Sequence, residues 1–157
     1  MKKKIIQIQR HKQKQKDIIL KEIQSHTTGG HIINRILSLT NPGEFIKSLS
    51  CEDLFWTIKK VGPDDSIQLL QLASNEQWQY ILDIETWQRD RLDLNASRDW
   101  LKRLYLANPI RTVKWLLGEG EDFSYFFFFK TLDIIIINES DETFDLPDGY
   151  VTFDGVF

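Results

Sequence analysis

Apolar residues recur along this chain at spacings of three and four, in short runs with marked starts and stops, a pattern that predicts short amphipathic helices. Leu54, Phe55, Ile58 and Val61 form one stripe, with Ser50 as a capping hydroxyl ahead of Glu52 and Asp53, and Gly62 as the terminating residue. Pro63 with Asp64 and Asp65 opens the next run, which carries Ile67, Leu69, Leu70 and Leu72. Ser74 stands three residues before Gln77, the spacing of a capping box, and leads into Trp78, Ile81 and Leu82. Asp83 can cap a run through Trp87 and Leu92, and Asn95 or Ser97 one through Trp100, Leu101 and Leu104. Asn41-Pro42 and Asn108-Pro109 each place an N-cap before a proline at the first helical position. Ile110, Val113, Leu116 and Leu117 follow the second pair, and Gly118 ends that run. Thr28-Gly29-Gly30 reads as a turn ahead of a helix over 31–39.

The runs repeat. Leu39, Asn41, Phe45 and Leu49 match Leu72, Ser74, Trp78 and Leu82 at an offset of 33, and Leu39, Asn41, Pro42, Lys47 and Leu49 match Leu106, Asn108, Pro109, Lys114 and Leu116 at 67. Each unit holds about three short helices: 42–49, 51–61 and 63–73, then 75–82, 84–92 and 97–107, then 109–117 onward. Helices this short are marginal alone and must bury their stripes against neighbours. The expected fold is mainly α, a short-helix solenoid or superhelix with units of about 33–34 residues and of either hand. At least seven helices are expected between 13 and 130, with Leu39, Phe45, Leu49, Leu54, Ile58, Leu70, Trp78, Leu82, Trp87, Leu104 and Val113 in the core. Trp56 falls opposite Arg89, and Trp115 opposite Ile81 and Ser48, so neither position is apolar in every unit. Bulky aromatics where the repeat does not require them make Trp56 and Trp115 the candidate partner-binding residues.

From Tyr125 onward the period is lost. Phe126–Phe129 and Ile134–Ile137 are continuous apolar runs that fit a buried helix or a strand, with β-branched isoleucine favouring strand. The layout is therefore a flexible basic arm over 1–12, a helical repeat domain over 13–130 and an acidic C-terminal segment over 131–157. Either 150–157 pairs back on 134–138 as a hairpin, or the chain is the front part of a longer design. Apolar runs left in water aggregate, so 131–157 is expected to be at least partly ordered.

With 157 residues, 41% of them hydrophobic and 27% charged, the chain is one ordinary globular domain that needs no metal or disulfide to fold. Its single cysteine, Cys51, excludes a disulfide framework and a cysteine-rich zinc site. Net charge is −3 but graded: residues 1–26 balance at +6, 27–118 at zero and 119–157 at −9. The basic arm, with Lys2, Lys3, Lys4, Arg10, Lys12, Lys14, Lys16 and Lys21, offers phosphate contacts. No aromatic residue stands before Phe45 to stack on bases, and the pI is near 5.6, so nucleic acid is a distant alternative partner. Ile5 to Ile8 is broken by glutamine before any signal-peptide core forms, and Lys130 and Asp133 interrupt the most apolar stretch. No membrane insertion is expected, and a lone free cysteine suits a cytoplasmic protein.

Glu52-Asp53-Leu54 before Ile58, Leu69-Leu70, Glu76-Gln77, Leu82-Asp83-Ile84 before Trp87, Trp100-Leu101 and the acidic approach to Asp148-Gly149-Tyr150 resemble an uncharacterised bacterial family of delta-proteobacterial genomes. That resemblance implies no assigned activity. Members run well past this length, so an end at Phe157 is a departure from the pattern. The stretch Asn41 to Leu117 also resembles the N-terminal superhelix of MgtE-type magnesium transporters, which implies a superhelical fold and, as an alternative function, magnesium sensing through acidic faces.

Catalytic chemistry finds little footing. His11, His26 and His31 include no pair at i, i+3 or i, i+4, and no glycine-rich phosphate loop or nucleophile elbow is present. Cys51 follows a capping serine, where a helix terminus can lower a thiol pKa, but no partner base is nominated. Asp64, Asp65, Asp90 and Asp93 could hold a hard cation only by converging in the fold, since none sits in an alternating oxygen-ligand loop. The expectation is a non-catalytic protein-interaction or scaffolding module without cofactor or small-molecule substrate. A magnesium-responsive regulatory domain is its alternative.

Overall fold

The structure, a computed structural model, describes residues 14, 16–22, 25, 28–133 and 149. Eight helices follow one another from residue 29: α1 (Gly29–Leu37), α2 (Pro42–Ser48), α3 (Cys51–Val61), α4 (Ile67–Leu72), α5 (Asn75–Thr86), α6 (Leu94–Ala107), α7 (Pro109–Leu116) and α8 (Glu121–Thr131). Residues 16–22 are also helical. Among the described residues the fold is thus mainly α; its sheet is one antiparallel hairpin, β1 (Trp87–Gln88) with β2 (Arg91–Leu92). The basic arm over 1–12 and the strand expected after Ile134 lie outside the described residues.

The capping chemistry fixes most boundaries. Ser50 Oγ accepts from the Asp53 amide at the start of α3, and Gly62, at φ 106, ends it. Ser74 and Gln77 form the capping box of α5, and Asn108 Oδ1 accepts from the Arg111 amide at the start of α7. Three boundaries differ from expectation. Gly29 and Gly30 begin α1 rather than a turn, and at Gly29 the helix passes so close to the end of α3 that a Cβ would lie 2.6 Å from the Val61 carbonyl oxygen. The helix expected over 84–92 is replaced: α5 runs on to Thr86, whose carbonyl accepts from the Asp93 amide at 2.8 Å, and the chain reverses through Arg89 at φ 58. Asp83 consequently lies inside α5. Asp93 Oδ1 caps α6 by accepting from the amides of Asn95 and Ala96, in place of the expected Asn95 or Ser97.

Helices pack on the next but one, α1 on α3, α2 on α4, α3 on α5, α4 on α6 and α6 on α8. Leu49, Leu54, Ile58, Leu70, Trp78, Leu82 and Leu104 are buried as expected, and Leu39 and Phe45 pack against that core from its edge. Trp87 is half-buried, edge-on to Phe126 at 5.5 Å. Gln77 is buried and locks α5 to the end of α2: its Nε2 donates to the carbonyls of Ile46 at 2.9 Å and Leu49 at 3.0 Å.

Val113 is a correction. It is 49% exposed, together with Ile110 and Leu117, while Thr112 and Trp115 are buried. Helix α7 carries two apolar stripes, and the one containing Trp115 faces inward. Two features hold it there. Thr112 satisfies its own hydroxyl by donating to the Asn108 carbonyl at 2.9 Å, and Gly120 leaves room for the indole, whose ring atoms would lie 2.6 Å from a Cβ at that position.

Candidate functional site

The same rotation of α7 decides the expected partner-binding pair. Trp56 stands 60% exposed on α3, edge-on to Phe55 at 5.2 Å. Trp115, only 2% exposed, has no face to offer a partner, so its expected role as a surface anchor is corrected: it is a packing residue against Phe123. In its place α7 presents Ile110 (72% exposed) and Val113, at i and i+3 along one side, with its C-cap Leu117 (79% exposed) at i+7. Helix α8 adds exposed Tyr125 and Phe129 at i and i+4, stacked on each other at 6.0 Å, and exposed Leu132 follows just past its end. Helices α7 and α8 pack on each other. Isolated exposed apolar residues are ordinary, whereas stripes on neighbouring helices mark a contact surface.

The four aspartates proposed for a cation do not gather into a group of three that could hold a metal ion. Asp64 Oδ1 receives Arg103 Nε at 2.8 Å, and that hydrogen bond and charge hold its carboxyl below the usual carboxylate range. Asp93 is the α6 cap and also accepts from Gln88 Nε2, Asp90 lies in the hairpin turn, and Asp65 sits exposed in the turn before α4. Among the described residues no three histidine, cysteine or acidic side chains come together as a metal site.

A groove of about 380 Å³ opens instead between the start of α3, one side of α5 and the end of α7. Cys51 comes from α3; Asn75, Glu76, Gln79, Tyr80 and Asp83 from α5; Trp115 and Glu119 from α7 and the turn after it. Burial, then the charge of Glu76, pushes the Cys51 thiol up, the opposite of what activates a nucleophile. Gln79 Nε2 donates to Asp83 Oδ1 at 2.7 Å, which leaves Gln79 Oε1 buried without a partner; Trp115 Nε1 is likewise buried and unpartnered. By contrast, Trp78 Nε1 donates to the Leu70 carbonyl at 2.9 Å. On the far side of Asn75 a second groove carries Lys47 and Arg111. The guanidinium of Arg111 is committed to Asn75 Oδ1, from Nε at 2.8 Å and Nη2 at 2.6 Å, and to the Trp78 ring. Burial lowers the pKa of Arg111, and the charge of Glu119 offsets part of that shift.

Sequence reasoning missed this groove. Glu76, Gln79 and Asp83 share one side of α5 at i, i+3 and i+7, a spacing visible in the chain but indistinguishable there from a solvated helix face.

A mainly α chain with no group of three potential metal-ligating side chains among its described residues is what the fold and site define. The chain belongs to a family of unknown function, DUF6178, whose pattern matches residues 9–157. No curated protein and no solved structure matches it. Among the described residues no helix is long and apolar enough to cross a membrane.

Proposed function

We propose that this chain is a non-catalytic interaction module that receives a further apolar helix against the outward side of α7 and α8. The observation that carries this reading is the exposure of Ile110, Val113 and Leu117 at α7 and of Tyr125, Phe129 and Leu132 at α8, a helix that packs on α7. Elsewhere among the described helices each packs against other helices, most of them the next but one, so the occupant that fits is a helical segment with its own apolar side. On this reading the chain is a small helical-repeat superhelix, in which the N-caps Asn41, Ser74 and Asn108 mark successive units, and Trp56 is a secondary anchor. A resemblance to MgtE-type superhelices belongs to the same proposal. Bacterial origin and a cytoplasmic setting belong to the same proposal. The raised Cys51 thiol supports a non-catalytic role, and the failure of the four aspartates to gather into a group of three weighs against the magnesium alternative.

A photo-crosslinking residue at Leu117, in cells that make the protein natively, tests the reading. Crosslinked peptides from another polypeptide, absent with the probe at exposed Lys102, are the expected result. Crosslinks confined to residues 134–157 of the same chain would overturn it.

A further inference from the structure

The exposed sides of α7 and α8 carry charges as well as apolar side chains, and the two patterns are complementary. On α7, Lys114 follows Ile110 by four residues, so it sits on the exposed side with Val113, ahead of the C-cap Leu117. On α8, Glu121, Tyr125 and Phe129 recur at every fourth residue, with Asp122 next to Glu121. Lys114, Glu121 and Asp122 are exposed and form no ion pair among the described residues. One helix thus offers apolar side chains with a cation, and the other apolar side chains with two anions.

Size is the second observation. Ile110, Val113, Leu117, Tyr125, Phe129 and Leu132 are each half to four-fifths exposed. At about 150–250 Å² for a whole aromatic side chain and somewhat less for an aliphatic one, they present on the order of 800 Å² together. A standard interface takes about 800 Å² from each partner. Helix α8 is also apolar on nearly every side: Phe123 and Phe127 pack on the core, while Tyr125, Phe126, Phe128 and Phe129 are exposed. A helix of that kind is normally buried all round.

A helix that meets α7 must bring an apolar side and an acid for Lys114. One that meets α8 must bring an apolar side and a base for Glu121 and Asp122. A second copy of this chain brings both, and a two-fold axis uses the pairing twice. We infer, resting on the interaction reading of α7 and α8, that the occupant is a second copy, in a dimer where α7 of each copy packs on α8 of the other. Ile110, Val113 and Leu117 lie against Tyr125, Phe129 and Leu132 across the interface, and Lys114 meets Glu121 and Asp122. Exposed ion pairs add specificity more than affinity, so the dimer is a micromolar one that opens on dilution.

Sedimentation velocity of the full chain from about 1 to about 500 µM tests this. The mass should rise from 18.6 kDa towards twice that value across the series. Lys114→Glu, and separately Glu121→Lys with Asp122→Lys, should stay folded by thermal melting and weaken dimerisation about tenfold or more. An equimolar mixture of those two variants should recover the parent affinity, because each α7–α8 contact then pairs opposite charges again. Leu117→Ser should weaken the dimer to a similar degree with no change of charge. A chain that stays monomeric at about 500 µM overturns the inference, as does a dimer indifferent to Lys114→Glu and Leu117→Ser. Folded variants whose mixture fails to recover overturn it too. The interaction reading fails separately: a monomer whose Leu117 probe crosslinks to a different protein removes the dimer alone, whereas crosslinks confined to residues 134–157 of the same chain remove both.

Discussion

The guanidinium carbon of Arg111 lies 3.8 Å from the ring centroid of fully buried Trp78, so a cation of α7 is stacked on the central aromatic of α5. Its two hydrogen bonds to Asn75 fix the plane of the stack. Replacing Arg111 with Met keeps the stem and loses the fork. Urea unfolding should report a loss of about 1–2 kcal/mol. Arg111→Lys should recover less than half of it, because an ammonium cannot reproduce the planar pair of contacts. Full recovery by lysine would show that charge alone matters there.

Gln77 is expected to be as sensitive as any core leucine. Its amide serves the carbonyls of Ile46 and Leu49 and accepts from the Ser74 amide at 2.8 Å. Gln77→Ala strands these groups in the interior and should cost about 3 kcal/mol by denaturant titration. A loss under about 1 kcal/mol would mean that water reaches them freely.

The caps at Ser50, Ser74 and Asn108 were legible in the sequence because capping is local chemistry: the residue that accepts and the amide that donates are three positions apart. The mainly α class follows from the same signals. The orientation of α7 was not legible, since Ile110, Val113 and Leu117 make as good a stripe as Thr112, Trp115 and Leu116. What decides between them is the space beside Gly120, a tertiary fact. Nor was the hairpin at 87–92, where Arg89 takes the positive φ that glycine or asparagine would have announced. The groove needed side chains from three separate elements, and only its α5 side could be read from spacing.

That choice of stripe makes opposite predictions for neighbouring positions. Trp115→Ala removes a buried ring and should destabilise the fold by about 3–5 kcal/mol. Val113→Ser, on the exposed side, should stay within about 0.5 kcal/mol of the parent. Thermal or urea unfolding of the two variants separates the orientations, and the reverse order would mean that Val113 faces the core.

Cys51 should alkylate sluggishly. Burial and then the Glu76 charge favour the neutral thiol, so iodoacetamide should react more slowly than with a free peptide thiol at pH 8 and approach it only at higher pH. Glu76→Gln should move the profile part of the way back. A rate above that of the free thiol would identify an activated cysteine and revive a catalytic reading.

Asp64 and Arg103 give a pH signature. The folded carboxyl has the lower pKa, so the pair's contribution to stability is present above the unfolded value and is lost as pH falls through the folded one. Comparing melting temperatures of parent and Asp64→Asn across pH 2–7 should show the difference shrinking toward the acid end. A difference that grows as pH falls would contradict the pairing.

The central claim, that the Ile110 side of α7 is open to a partner while the Thr112 side is closed, is tested most directly by thiol labelling in a Cys51→Ala background of the full chain. The Ile110→Cys variant should react with a maleimide within about threefold of its rate in the urea-unfolded chain, and the Thr112→Cys variant at least about a hundredfold more slowly than in urea. Equal protection of both positions would mean that the chain covers its own α7–α8 surface, and the interaction reading would fall.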